Sequence, residues 1–222
     1  MEISGIESVV ILQESRNMAD INTVIFDLGG VLIDWNPDYV FRTIFSTDEQ
    51  MKWFYKNICT PDWNEEQDAG RSLDSATEEL VKMYPDYEGP IRAYYGRWDE
   101  MLGGPIQGTV DIFKEIKDNP AIRTFALTNW SAETFPVALS RYDFLDWFDG
   151  RLVSGEEKTR KPFPDIYQKL IDKFSIDPKT SLYVDDNVRN LAPAADLGMY
   201  AVHFQSPAQF RAQLKSVGVL SS

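Results

Sequence analysis

Asp27 follows the apolar run Val24-Ile25-Phe26 and stands just before Gly29 and Gly30. Thr128 follows Phe125-Ala126-Leu127, and the pair Asp185-Asp186 follows Leu182-Tyr183-Val184. Lys161 precedes Pro162 in the stretch between the second and third runs. Carboxylates, a hydroxyl and an ammonium are the groups from which a nucleophile, a hard-cation site and an anion clamp are built. Two adjacent carboxylates repel, and a cation is the easiest way to keep both ionised. The glycines beside Asp27 let the backbone turn sharply and let a ligand approach main-chain N–H groups. Singly, each residue has an ordinary use: Asp or Thr after a strand as a helix cap, Lys before Pro as a solvated loop residue. The order Asp, Thr, Lys, Asp-Asp at the ends of successive apolar runs is harder to explain as coincidence.

Such runs, β-branched and aromatic without interruption, predict parallel strands buried on both faces. In a parallel sheet their carboxyl ends lie along one edge, so residues distant in sequence can share a cleft. From Pro105 onward helix and strand alternate. A helix through Val110, Ile112, Phe113 and Ile116 leads to a strand over residues 122–127, and Ser131 is expected to cap a helix to about Arg141. A short apolar patch at 150–153, a helix bearing Ile166, Leu170 and Phe174, and a strand over 181–184 follow. The spacing then predicts a helix over 187–197 shortened or kinked by Pro193, a strand over 199–204 and a helix from Pro207 to about Val217. This βαβ rhythm implies right-handed crossovers.

Between Asn36 and about Gly104 the strand patterns vanish. Thr47 and Gln50 form a capping-box signature ahead of Met51, Trp53, Phe54 and Ile58. Further helices are expected over 73–84 and over 89–102, the latter stopped by Gly103-Gly104. The segment Trp63–Arg71 reads equally as a polar loop between helices reaching over the cleft or as an ordinary cap-helix start. The expected organisation is an N-terminal extension (1–20), an α/β core (21–35 and 105–222) and an inserted helical cap (36–104). Trp53, Tyr94 and Trp98 are expected in the core of the cap.

The chain has 222 residues, 43% apolar and 13% aromatic, which is ample for a large core. No apolar run approaches the roughly 20 residues of a bilayer span. Glu2 in place of a basic start, and an apolar patch limited to Val9–Leu12, argue against a signal sequence. Cys59 stands alone, which excludes an intrachain disulfide and fits the cytoplasm. The net charge of −13 excludes a nucleic-acid footprint and disfavours anionic membranes. An anionic substrate would therefore need local cations, a metal or a placed Lys.

Asp27-Leu-Gly-Gly-Val31, Thr128, Lys161 and Asp185-Asp186 resemble, in order, the four motifs of the haloacid dehalogenase (HAD) superfamily. The helical insert between the first and second motifs is similar to the type 1 cap of subfamily IA. Phe26-Asp-Leu-Gly-Gly-Val-Leu-Ile-Asp-Trp-Asn-Pro37 and Leu127-Thr-Asn-Trp-Ser131 resemble a bacterial subgroup. The resemblance implies a Rossmann-like three-layer parallel sheet with an α-helical cap. It implies a Mg²⁺-dependent phosphatase acting on a small phosphorylated metabolite, sugar phosphates included, through an aspartyl-phosphate. In that mechanism Asp27 is the nucleophile, assisted by Thr128 and Lys161. Asp27, the Gly29 carbonyl and Asp186 hold the metal, and Asp185 orients a metal-bound water. Asn129 and the N–H groups near Leu28 and Gly29 bind phosphate, while Asn64, Asp68 and Arg71 of the cap grip the rest of the substrate. The departure is Gly29, where most phosphatases of the family carry a second Asp that protonates the leaving oxygen. A cap residue, a substrate hydroxyl or a metal-bound water must then donate the proton, and His203, the single histidine, is read as structural. Two other readings stay open: a metal-independent 2-haloacid dehalogenase, and a non-catalytic binding or regulatory domain. A monomer or a homodimer fits equally.

Overall fold

The run Val24-Ile25-Phe26 is the middle strand of a five-stranded sheet in a computed structural model of the protein, which describes residues 21–221. The extension expected at 1–20 lies outside the described residues. The strands are β1 (Thr23–Phe26), β2 (Ile33–Trp35), β3 (Leu102–Pro105), β4 (Arg123–Thr128), β5 (Gly150–Val153), β6 (Ser181–Asp185) and β7 (Tyr200–His203). The large sheet runs β5-β4-β1-β6-β7 with every pair parallel. Phe26 lies beside Ala126 on one side and Val184 on the other, so Asp27, Thr128 and Asp185 emerge at the same edge. Strand order reverses at β1, which opens a crevice at the carboxyl end of the sheet.

The cap helices are α1 (Asp38–Phe41), α2 (Asp48–Asn57), α3 (Pro61–Asp68), α4 (Leu73–Met83) and α5 (Glu88–Gly96). In the core follow α6 (Gln107–Lys117), α7 (Phe135–Arg141), α8 (Ser154–Glu157), α9 (Pro164–Phe174), α10 (Leu191–Asp196) and α11 (Pro207–Ser216). Alternate residues of β1 enter opposite layers. Val24 and Phe26 join the core containing Phe113 of α6 and Phe210 of α11, whereas Ile25 joins that of Tyr167 and Leu170 of α9. Phe26 stands 5.2 Å from Phe113 and 5.8 Å from Phe210, centroid to centroid. Each such aromatic pair adds about 0.5–1.5 kcal/mol beyond the area it buries.

One open alternative is decided and three local expectations are corrected. The segment Trp63–Arg71 is mostly helix, because Thr60 accepts a hydrogen bond from the Trp63 N–H at 3.1 Å and Pro61 occupies the first turn of α3. The helix expected to reach Leu102 ends at Gly96. Residues 102–105 pair antiparallel with β2, so the two chain crossings between cap and core lace together. Gly103 permits that approach, since a Cβ there would lie 2.4 Å from an Asp34 carboxylate oxygen. The helix after Ser131 starts only at Phe135, because Ser131 closes a turn by accepting from the Glu133 N–H at 3.2 Å. Residues 188–190 form a 3₁₀ turn, and Pro193 sits in the first turn of α10, where its missing N–H costs little. Cys59 is free and buried, and no helix among the described residues is long and apolar enough to cross a membrane.

Candidate active site

Asp27 is the residue at which β1 stops. Its N–H donates to the Val184 carbonyl at 2.9 Å, and its Oδ1 accepts from the Leu28 N–H at 2.7 Å. The turn that follows needs glycine at Gly30 twice over. Its φ is +73°, and a Cβ would lie 2.3 Å from Asp186 Oδ2. Gly29 is free of such constraint: a Cβ there would meet nothing within 4 Å.

Lys161 reaches in from the loop between α8 and α9 and is 1% exposed. Its Nζ lies 2.9 Å from Asp27 Oδ1 and 2.7 Å from Asp185 Oδ2. Asn129 fixes the Lys161 backbone from both sides, donating to its carbonyl at 3.0 Å and accepting from its N–H at 2.8 Å. The Asn129 side chain thus positions the Lys161 backbone.

Asp185 is fully buried, and donors surround both of its oxygens. Besides Lys161, it accepts from the Tyr183 hydroxyl, from the Asn187 N–H at 2.8 Å and from Asn190 Nδ2 at 3.0 Å. Burial opposes its ionisation, but the Lys161 ammonium and these bonds hold its carboxyl below the usual range. Asp185 therefore anchors Lys161 and the turn after β6. Asp186 is the carboxylate left facing solvent, lifted above its ordinary value by partial burial and by the Asp185 charge. Burial pushes Asp27 well up, Lys161 works against this, and Asp185 and Asp186 add to it.

Asp27, Asp185 and Asp186 each offer an oxygen, all within 4.8 Å of one another. Three carboxylates against one ammonium leave two negative charges, the complement of a divalent cation. An all-oxygen donor set suits Mg²⁺ or another hard ion. Thr128 ends β4 beside this cluster, and its buried hydroxyl has no hydrogen-bond partner among the described residues, an orphan that a bound oxyanion would satisfy. His203 stays structural, its Nε2 lying 3.1 Å from the Asp186 carbonyl.

Beside the cluster, a cavity of about 90 Å³ is lined by Gly29 and Asn129, neighbours in sequence of Asp27 and Thr128, and by Asn64 and Asp68 of the cap. Asn64 accepts from the Tyr95 hydroxyl at 2.9 Å and donates to Asp68 at 3.2 Å. Trp98 is buried as expected and also forms part of the cavity wall with Trp35 and Trp130. Arg71 is not part of this site. It pairs with Glu79 and lines a different cleft with Leu80 and Tyr84, because the αL turn at Gly70 (φ +94°) carries the chain away from the cavity. Sequence reasoning missed Tyr183 and Asn190, which hold Asp185. Their only trace is the spacing of two residues before and five after it, which becomes informative once β6 and its following turn are known.

A family model for haloacid dehalogenase-like hydrolases matches residues 21–198. A sesquiterpene phosphatase of Aspergillus oryzae is 25% identical over 179 residues, 81% of this chain and 87% of that protein. A D-ribitol-5-phosphate phosphatase of Bacteroides thetaiotaomicron is 20% identical over 208 residues, 87% and 97% of the two chains. The crystal structure of a HAD family enzyme from the same bacterium, in complex with magnesium and inorganic phosphate, has a TM-score of 0.61 at 20% identity and covers 84% of this chain and 95% of that one.

Proposed function

The chain belongs to the haloacid dehalogenase-like hydrolases, and from that premise we propose that it is a magnesium-dependent phosphatase of small phosphorylated metabolites. The observation that carries this reading is the meeting of three carboxylates within 4.8 Å with a buried ammonium and an unpartnered hydroxyl at one sheet edge. In this mechanism an Asp27 oxygen attacks phosphorus in line, and the bond to the leaving oxygen breaks. Water then cleaves the aspartyl-phosphate and regenerates Asp27. Asp27 and Asp186, with the Gly29 carbonyl, would hold the metal, which when bound draws negative charge from a phosphoryl oxygen. Thr128 would donate its free hydroxyl to a second oxygen, and Lys161 would supply positive charge beside Asp27. Asn129 acts through its grip on the Lys161 backbone. The small cavity, with its tryptophan walls and Asn64, favours a compact polyol or sugar phosphate.

A dehalogenase of the same fold would attack carbon with Asp27 and use no divalent cation, which would leave Lys161 alone to answer the three carboxylates gathered here. A screen of phosphorylated metabolites with and without Mg²⁺ decides between them. Phosphate release sensitive to EDTA and abolished in Asp27→Asn is expected. Halide release from a 2-chloroalkanoate without metal, or phosphate release unchanged in Asp27→Asn, overturns the proposal.

A further inference from the structure

The cavity that Gly29 lines is also lined by a carboxyl of the cap. Gly29 and Asp68 line opposite sides of the same cavity, and Asp68 ends α3, whose seat on the core is fixed. The Ser154 hydroxyl donates to the Asp68 carbonyl, and Asn64 donates to its Oδ2 at 3.2 Å. Asn64 is in turn held by the Tyr95 hydroxyl at 2.9 Å, which also accepts from Gln67 at 3.1 Å. Resting on the phosphatase reading above, we propose that Asp68 is the proton donor and acceptor of the reaction, taking over the task for which Gly29 has no side chain.

The proton balance is complete. As the bond between phosphorus and the leaving oxygen breaks, its electron pair goes to that oxygen, which takes the Asp68 proton and departs as an alcohol. The attacking water of the second half-reaction enters where the alcohol left, opposite Asp27. Asp68, now a carboxylate, takes a proton from that water while the bond between phosphorus and Asp27 breaks. One residue therefore serves both halves, because both reacting oxygens occupy the same side of phosphorus.

The neighbours of Asp68 suit the task. Burial pushes its carboxyl up to about 7, the Glu65 charge adds to this, and Arg160, the Ser131 N–H and Lys161 pull it back. Tyr94 and Tyr95 of α5 also face it, and burial holds both phenols far above their ordinary range and therefore neutral. Among the residues lining the cavity, Tyr95 is the other titratable group, and its hydroxyl is already engaged by Asn64 and Gln67. An acid of this strength is about half protonated at neutral pH, so it can give a proton in one half-reaction and take one back in the other.

The test compares two substrates on Asp68→Asn. Glycerol 3-phosphate, or a better alkyl phosphate from the metabolite screen, has a leaving group that needs a proton. Acetyl phosphate leaves as acetate and needs none. Turnover of the alkyl phosphate should fall about 10²–10⁴-fold with KM changed only several-fold. Acetyl phosphate should still phosphorylate the variant, and a phosphoryl adduct on Asp27 should accumulate in the intact mass because the second half-reaction lacks its base. In the wild type, kcat/KM for the alkyl phosphate should decline as pH rises through about 7, and this limb should be absent in Asp68→Asn. Should the Asn variant be unstable, Asp68→Ala supplemented with formate should recover turnover. Equal losses on both substrates, with no adduct and an unchanged pH profile, overturn the role of Asp68 alone. A wild type inert towards both substrates overturns the phosphatase reading with it.

Discussion

Thr128 separates function from stability at the scale of one residue. A buried hydroxyl without a partner contributes nothing to the fold and carries a desolvation cost of about 1–3 kcal/mol. Thr128→Val should therefore melt at the wild-type temperature or above it, while kcat on a phosphorylated substrate falls about 10²–10³-fold, the usual cost of one oxyanion donor. Thermal denaturation beside steady-state kinetics checks both, and a variant that loses stability would mean that the hydroxyl bonds within the fold. The opposite arrangement holds at Asp185, whose oxygens are occupied by Lys161, Tyr183, Asn187 and Asn190. From sequence, Asp185 and Asp186 look equivalent. Burial distinguishes them, and which of two neighbouring carboxylates points inward is set by the exit of β6 from the sheet. No residue type records that direction.

At the scale of elements, α3 is the piece that joins cap to core. Glu65 pairs with Arg160 at 2.8 Å and with Arg189 at 2.5 Å, and both arginines belong to core loops that follow catalytic-edge strands. Glu65 and Arg160 are 15% and 13% exposed, so screening by salt is incomplete. Glu65→Gln should loosen the closed cap by about 1 kcal/mol, raising KM several-fold and speeding hydrogen exchange over residues 61–68. It also removes the charge that lifts Asp68, so the alkaline limb of kcat/KM should move to lower pH. A KM and pH profile identical to the wild type would remove α3 from both roles. This helix is also where the sequence left loop and helix equally open. Its only apolar landmark is Trp63, so polarity suggested a loop, although Thr60-Pro61 is a sound helix start. The strands β1, β4 and β6 were legible for the converse reason, since burial on both faces demands apolar runs that no other element explains. The hinge strands β2 and β3 were not, because three or four residues containing two glycines carry no period to detect.

Over the whole molecule, the site is a place where charge is held against folding. The chain has a net charge of −13, and three of its carboxylates are gathered within 4.8 Å at the ends of two central strands. Among the described residues only Lys161 pairs with them, and it is committed to Asp27 and Asp185. Burial and the Asp185 charge outweigh what favours the Asp186 carboxylate, so Asp186→Asn should unfold at an equal or higher temperature than the wild type in the absence of metal. A cation bound to the folded state alone stabilises it by about 2.7 kcal/mol at a hundred times its Kd. For a domain of this size that corresponds to roughly 5–10 °C in Tm. Saturating Mg²⁺ should produce that shift in the wild type beyond what NaCl of equal ionic strength gives, and should produce little or none in Asp186→Asn. The melting curves read the metal site without any substrate, which keeps this prediction independent of the reaction. A wild type indifferent to Mg²⁺, or an Asp186→Asn protein weaker than the metal-free wild type, would show that these carboxylates are balanced within the fold and await no ion.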